Sequence, residues 1–334
     1  MPETTLAASA GPKTDSIATG DCLKTMAKWP AACVDLIFAD PPYNIGYKYD
    51  QYEDSRDDHE YIEWTEQWIT TCARLLKPTG SMYVLIGDEY AAETRVHLKR
   101  LEREHQLVFR NWMIWHYTFG QNCKAKFNRS HAHLFYCVGT AAFDKWSVTD
   151  PPFVFNRQAI AVPSARQTTY GDRRANPKGK LPDDTWYLRP QEVEKEGIER
   201  YFGPEEDTWY LSRLCGTFNE RVGWHPCQLP ESLLERIVRV SSNEGDVVFD
   251  PFVGSGTTLA VAARMHRHWL GCELSKEYAR KATGRIKQAA ETGKAHQSTQ
   301  ADKGIVRGQP KKKAEAHKSR RDQVARESQS ETLF

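Results

Sequence analysis

Residues 57–88 read DDHEYIEWTEQWITTCARLLKPTGSMYVLIGD, and this stretch constrains the fold more than any other. An acidic start, apolar residues at Ile62, Trp68, Ile69, Cys72, Leu75 and Leu76, and a Pro-Thr-Gly stop predict one amphipathic helix. Ser81 to Ile86 then forms an apolar run of strand length, and a second such run, VDLIFA at 34–39, precedes the helix. Strand, helix and strand in that order imply parallel pairing through a right-handed crossover, and so an α/β fold.

The rest of the chain extends this pattern. SIATGD up to Asp21 reads as a short strand and turn, followed by a short helix from Cys22 to Trp29. A helix over 91–104 leads to two strand candidates, VFRNWMIWHYT and HAHLFYCVG, able to pair antiparallel across a loop from Phe119 to Ser130. Pro230 and Glu231 open an amphipathic helix, and the strand DVVFD, a helix starting near Thr257, the strand HWLGCE and a helix from Lys276 to Ala290 follow. The sum is a mostly parallel seven-stranded sheet with one antiparallel hairpin. Residues 1–15 read as a disordered leader, and 293–334, with KKK at 311–313, as a disordered basic tail. Between 145 and 223 the period is lost in a stretch rich in Pro, Gly, Arg, Asp and Trp.

Lysine and arginine number 46 against 44 acids, a net charge of +2, so bulk composition does not by itself announce a nucleic-acid partner. Eight cysteines, at 22, 33, 72, 123, 137, 215, 227 and 272, form no Cys-x-x-Cys pair, which argues against a structural zinc and fits a reducing compartment. No run approaches 18 apolar residues, and the first residues lack a basic flank and apolar core, so a cytoplasmic protein without a membrane span is expected.

Chemistry-bearing residues collect at two strand ends. Asp40 follows the run VDLIFA, and Pro41 and Pro42 cannot continue a ladder and hold the residue before each extended. The Asp40 carboxylate and the Pro41 carbonyl are therefore expected at the sheet's C-terminal edge, where open α/β sheets keep their ligands. The second locus, VVFDPFVGSGTTLAVAARM, is a strand, a glycine-bearing turn and a helix. Gly254 and Gly256 would let the backbone approach a ligand, with the free N–H groups of the helix facing it. A phosphate-binding loop needs Lys where Thr257 stands, and the dinucleotide fingerprint needs Gly where Leu259 stands. What remains is a small nucleoside-containing ligand, with Glu273 at the next strand tip placed to accept from both ribose hydroxyls; the bland alternative for Glu273 is a solvated strand end.

DPPY at 40–43 and DPFVGSGTT at 250–258 resemble the catalytic and cofactor motifs of the S-adenosylmethionine-dependent amino-methyltransferases of DNA. The catalytic motif first, a variable region next and the glycine motif late resembles the circularly permuted β class of that family. HPCQLPE at 225–231 is similar to a segment that precedes the family's glycine motif, with Leu229 where Lys is common, and GDC at 20–22 looks like its acidic position beside the cofactor adenine. Over about residues 15–290 the resemblance implies a Rossmann-like, circularly permuted fold. It implies a catalytic half at 16–144, a target-recognition insertion at 145–223 and a cofactor half at 224–292. It further implies S-adenosylmethionine held by Asp21, Cys22, Asp40, Asp250, Pro251, Phe252, Gly254, Ser255, Gly256, Thr257, Thr258 and Glu273, and catalysis by Asp40, Pro41, Pro42 and Tyr43.

The residues suit that chemistry. An exocyclic amine is a poor nucleophile because its lone pair is conjugated with the ring; hydrogen bonds accepted by Asp40 and the Pro41 carbonyl would make the nitrogen more tetrahedral, allowing in-line transfer without a metal. The base would be flipped from double-stranded DNA at a cost of about a few kcal/mol, of which stacking on Tyr43 would return roughly 1–3 kcal/mol. An ordinary strand-end aromatic is the alternative for Tyr43, and Tyr47 and Tyr49 either line the pocket, close over the cofactor or pack on the surface. Asp at position 40 resembles the adenine group of the family, where Ser is more usual in the cytosine group, which makes adenine N6 the expected target; cytosine N4 is the runner-up, since nothing physical in Asp excludes it, RNA is a further alternative, and a non-catalytic protein with a decayed cofactor site is disfavoured by the intact motifs. Arg166, Arg173, Arg174 and Lys178, interleaved with Tyr170, Trp186 and Tyr187, are the candidate DNA readers, and both ends of the insertion are expected near the sheet that holds Asp40 and Gly254. His131 and His133 share a strand face but read as satisfied strand histidines, Cys33 and Cys123 lack a base partner, and Asp88 is either a supporting residue or solvated. A restriction-modification setting is expected; monomer and homodimer both remain open.

Overall fold

The computed structural model describes residues 11–186, apart from 48, 122–124, 126, 128, 148, 163 and 169, and residues 220–295. Its strands are β1 (Ser16–Thr19), β2 (Val34–Ala39), β3 (Leu76–Ile86), β4 (Val108–Gln121), β5 (Arg129–Val138), β6 (Thr185–Trp186), β7 (Val247–Asp250) and β8 (His268–Glu273). The helices are α1 (Cys22–Met26), α2 (Asp58–Leu75), α3 (Ala91–Arg103), α4 (Ala165–Thr168), α5 (Glu231–Ser241), α6 (Thr257–Arg264) and α7 (Lys276–Thr292). One sheet runs β1-β8-β7-β2-β3-β5-β4-β6, parallel from β1 to β3 and antiparallel through β5 and β4. The seven expected strands are all present, and the two-residue β6 adds an eighth, pairing parallel with Ile114 and Trp115 of β4.

Both faces of the sheet are covered, which explains the near-continuous apolar strands. Leu36 and Phe38 face a core shared with α5, α6 and α7, whereas Ile37 and Ala39 face α1, α2 and α3. The charge inside this run, Asp35, is satisfied: one carboxylate oxygen accepts from Lys77 Nζ at 2.8 Å and from the Val247 amide at 2.9 Å. Between α2 and the regular part of β3 the ladder is irregular, because Val34 pairs with Leu76 but Leu36 pairs with Ser81, so the predicted Pro-Thr-Gly stop is a bulge within the strand. The leader and tail fall mostly outside the described residues. Asp15 is an exception, since its amide donates to the Trp269 carbonyl and its carboxylate meets His268 Nδ1, which fastens the start of β1 to β8.

The segment after β5 starts from the far end of the sheet. Because β5 runs against β3, its last residue, Val138, pairs with Ser81 at the edge opposite Asp40. From there the chain climbs along α5: Asn156 donates through its amide to the Val240 carbonyl and through Nδ2 to the Arg239 and Ser242 carbonyls. Ile160 and Val162 pack with Val240. The segment comes back to the sheet at β6 and, after residues 187–219, which lie outside the described set, re-enters at Glu220 beside the cleft. Among the described residues no helix is long and apolar enough to cross a membrane.

Candidate active site

Four adjacent parallel strands end on an acid: Asp21 after β1, Glu273 on β8, Asp250 on β7 and Asp40 after β2. They line one cleft of about 1340 Å³ that continues past β3 to the start of β5. Cavities of about 300–1,000 Å³ hold a small ligand, so this one has room for a nucleoside-sized group and a second planar ring.

The loop after β2 is held rigidly. Tyr43 donates its hydroxyl to Asp40 Oδ1 at 2.7 Å, and Tyr61 on α2 donates to the Pro42 carbonyl at 2.6 Å. Asp54, fully buried, accepts the amides of Asn44 at 2.7 Å and Ile45 at 3.0 Å. Asn44, at φ 55°, donates to the Arg56 carbonyl and Tyr90 hydroxyl and accepts from the Arg56 amide. A buried carboxylate that takes two backbone N–H groups and an amide that closes on three partners leave this turn little freedom. Farther along the loop, Tyr49 reaches Cys227 Sγ and Asp50 accepts from the Ser275 hydroxyl, so the loop spans the cleft from the catalytic to the glycine half.

The glycine turn has different packing from that expected. Gly254, at φ 49°, donates its amide to Glu273 Oε2 at 2.8 Å, while Glu273 Oε1 accepts the Ser275 amide at 2.9 Å. A Cβ at 254 would lie 3.0 Å from the His225 ring, and one at 256 would lie 2.9 Å from Ala282 Cβ. Both glycines therefore serve close packing, Gly254 against the HPCQLPE segment and Gly256 against α7. Gly256 does not line the cleft, and it is the sole member of the expected catalytic and cofactor set that does not. Each Glu273 oxygen has a second lone pair, so its two backbone bonds leave acceptor capacity for hydroxyl groups. Asp21 caps α1 by accepting the Lys24 amide.

Arg285 on α7 supports the turn from behind. Its guanidinium donates to the Ser255 carbonyl at 3.1 Å, to Thr257 Oγ1 at 3.0 Å and to Glu231 Oε1 at 2.7 Å. Glu231 also pairs with Arg264, and its amide donates to the Glu220 carboxylate. Burial, with Glu231 adding, pushes Glu220 up to about 8.

The electrostatics of the cleft favour a cation. Burial, with Asp40 and Glu273 adding smaller contributions, pushes Asp250 up to about 7, and burial also raises Glu273. Mutually destabilised carboxylates are relieved by a positive ligand, which fits the sulfonium and ammonium groups of S-adenosylmethionine. Burial drives His225 down to about 4, so the ring against Gly254 is neutral, with Nδ1 2.7 Å from the Cys227 carbonyl oxygen.

Of the remaining expectations, Arg166, Arg173, Arg174 and Lys178 are exposed and do not line the cleft; Arg174 pairs with Asp172. Asp88 pairs with Arg129. His133 Nδ1 accepts from the Trp112 indole at 2.9 Å, and Tyr47 and Tyr49 both line the cleft. Asn44, Asp54, Arg129 and Arg285 were not anticipated. Asn44 directly follows DPPY, which is a usable signal; the other three are brought in by tertiary pairing that no local pattern announces.

A permuted Rossmann-like sheet with Asp-Pro-Pro-Tyr at one strand tip and a glycine turn at the next defines a methyltransferase domain. The chain belongs to the N6_N4_Mtase family of DNA methylases, which matches residues 34–284; this is the family of S-adenosylmethionine-dependent amino-methyltransferases that its motifs resemble. It is similar to the DNA adenine methyltransferase YhdJ of Escherichia coli K12, 31% identical over 283 residues that span 84% of this chain and 85% of that one. It is also similar to the type II methyltransferase M.HpaI of Haemophilus parainfluenzae, 29% identical over 266 residues, 80% of this chain and 72% of that one. In fold it matches TTHA0409 of Thermus thermophilus, solved with S-adenosyl-L-methionine, at a TM-score of 0.51 and 23% identity over 83% of this chain and 95% of that one.

Proposed function

We propose that this protein transfers a methyl group from S-adenosylmethionine to adenine N6 of a base flipped out of a specific site in double-stranded DNA. The observation that carries the reading is the adjacency of β2 and β7, which puts Asp40 and Pro41 beside Asp250 and the glycine turn in one cleft. S-adenosylmethionine supplies an electrophilic methyl group on a sulfonium. Asp250, Gly254, Thr257 and Glu273 hold it from the glycine side and Asp21 and Cys22 from β1. Asp40 and the Pro41 carbonyl accept hydrogen bonds from the two amine hydrogens, pyramidalising the nitrogen and stabilising the positive charge that develops on it as it takes the methyl carbon and the carbon–sulfur bond breaks; the methylated amine then releases one proton to solvent. Proline stiffening and the Tyr43 bond fix the carboxylate before substrate arrives, so little reorganisation is needed at the moment of transfer. Adenine is supported by Asp at position 40 and by the similarity to a DNA adenine methyltransferase of E. coli. Cytosine N4 is the second reading, since it presents the same exocyclic amine to the same two acceptors. Arg166, Arg173, Arg174 and Lys178 form the DNA-facing basic surface of the insertion, acting outside the cleft.

The test is to incubate the protein with isotopically labelled S-adenosylmethionine and DNA, digest to nucleosides and identify the labelled one. N6-methyldeoxyadenosine is expected. N4-methyldeoxycytidine overturns the adenine assignment, and label confined to RNA overturns the DNA substrate.

A further inference from the structure

The cleft has two chemically different ends. From β1 to β2 the strand tips present carboxylates; beyond Asp40, at β3 and β5, stands a partly buried guanidinium. Arg129 is the first residue of β5, and the antiparallel pairing of Ile86 with His133 carries it beyond the end of β3, beside Gly87 to Glu89. Its Nε contacts Asp88 Oδ1 at 2.7 Å and its Nη2 pairs with Glu89 Oε1, leaving the side chain 18% exposed. Two carboxylates on adjacent residues thus lock the orientation of the fork. A guanidinium has five N–H donors, and these two pairs use two of them.

The carboxylate that holds the fork stands beside the ring proposed to receive the base. A point one bond from Gly87 Cα lies 3.4 Å from Tyr43 Cδ2 and 3.5 Å from Glu89 Oε2, so the Tyr43 ring and the carboxylate that holds Arg129 flank the same spot. Tyr117, whose hydroxyl donates to the His131 carbonyl, lines the same cleft as Tyr43 and Arg129. Together with Trp115 these residues line the part of the cleft remote from Glu273. An ion pair needed only to pin the hairpin gains little at a surface, and lining a cleft puts its remaining donors where a ligand can use them.

We propose that Arg129, oriented by Asp88 and Glu89, is a specificity-determining residue that donates a hydrogen bond to the ring nitrogen next to the amine-bearing carbon of the flipped base, N1 of adenine or N3 of cytosine. The inference rests on the proposed methyl transfer to a base amine and adds the group that recognises the base. An amino-bearing pyrimidine or purine edge offers a donor and an acceptor side by side, and Asp40 with Pro41 reads only the donor. Arg129 reads the acceptor, which rejects bases that carry N–H at that position because two donors would then face each other.

The experiment pairs protein variants with a base analogue. Wild type, Arg129→Ala and Arg129→Lys are compared on duplexes with adenine or 1-deazaadenine at the target, or cytosine and 3-deazacytosine if the labelled nucleoside is a cytidine. Wild type is expected to lose about 10- to 100-fold in kcat/KM on the deaza duplex, the range for a hydrogen bond to a charged donor. Arg129→Ala is expected to lose a similar factor on the natural duplex and less than about threefold more on the analogue. Arg129→Lys retains a charge for Asp88 and Glu89 and guards against misfolding; it too is expected to lose most of the analogue discrimination. An Arg129 that only anchors β5 would slow both duplexes alike and leave the analogue penalty at its wild-type size, and this result overturns the proposal. Wild-type activity on the natural duplex in Arg129→Ala overturns it as well. A wild-type protein that labels no base at all overturns the proposed function and this inference together, whereas an unchanged analogue penalty overturns this inference alone.

Discussion

The hydroxyl of Tyr43 donates to Asp40 Oδ1 over 2.7 Å, so the ring and the carboxylate proposed to receive the base and its amine are one unit. Tyr43→Phe keeps the ring and removes the bond. We expect cofactor affinity to stay within about twofold and single-turnover methyl transfer to fall about tenfold, the effect of one hydrogen bond to a charged group. Asp40→Ala is expected to abolish transfer by orders of magnitude while S-adenosylmethionine and DNA still bind. If rapid-quench measurements give Tyr43→Phe the wild-type rate, the hydroxyl has no part in fixing Asp40.

Gly254→Ala places a Cβ 3.0 Å from the His225 ring at φ 49°, a conformation L residues adopt at a cost. The expected loss of stability is about 1–3 kcal/mol. Removing the ring in the double variant with His225→Ala should recover the steric part, giving a coupling of at least about 0.5 kcal/mol in a double-mutant cycle of chemical denaturation. Strict additivity would mean that the two residues do not press on each other.

Glu220 makes the stability of the fold depend on pH. Its folded value of about 8 stands above the ordinary 4.5, so the fold retains a proton that the unfolded chain releases. The stabilising contribution is whole below about pH 4.5 and declines as pH rises to about 8. Glu220→Gln stays neutral throughout and keeps an oxygen for the Glu231 amide. Between pH 5 and 8 wild type should lose stability relative to this variant, by on the order of a few kcal/mol. Parallel stability curves would show that Glu220 does not titrate in that window.

Arg166, Arg173, Arg174 and Lys178 are expected to divide into phosphate contacts and a base contact. Alanine at a phosphate contact lowers affinity for target and scrambled duplexes alike and reduces the salt slope by about one unit. Alanine at a base contact relaxes discrimination by roughly 1–3 kcal/mol. Fluorescence anisotropy over a salt series measures both, and unchanged affinity, slope and preference in all four variants would place recognition elsewhere.

The order of strands and helices was legible because each carries its own period: VDLIFA and SMYVLI are apolar on both faces, and α2 alternates its apolar residues over four turns. The tips followed, since Asp40, Asp250 and Glu273 each terminate such a run. What escaped was whatever depends on two distant segments. Nothing around Gly256 foretells that α7 crowds it at Ala282, and the same glycine suits a ligand contact equally well on sequence grounds. The end of the sheet from which the insertion departs is set by the hairpin: once HAHLFYCVG is an antiparallel strand, its last residue lies opposite Asp40, which the composition of the insertion itself does not announce. β6 was missed because two residues, Thr185 and Trp186, carry no alternation.

The pairing of β1 with β8, in which Ser16 lies against Leu270 and Thr19 against Glu273, has a consequence for how the molecule is made. During synthesis the first strand emerges more than two hundred residues before its neighbour, and β2 waits nearly as long for β7. Before β7 emerges, β2 to β6 can assemble from contiguous chain with α2 and α3, whereas β1 has no neighbour to pair with. The half-sheet so formed exposes the flank of β2 until the last strands arrive, a delay that loop-closure entropy makes slow and that leaves an unpaired edge open to misassociation. Asp40 is thus in place early, while the partner tips Asp250 and Glu273 join it last, so the complete cleft is a late product of folding and should be first to suffer when translation outpaces folding.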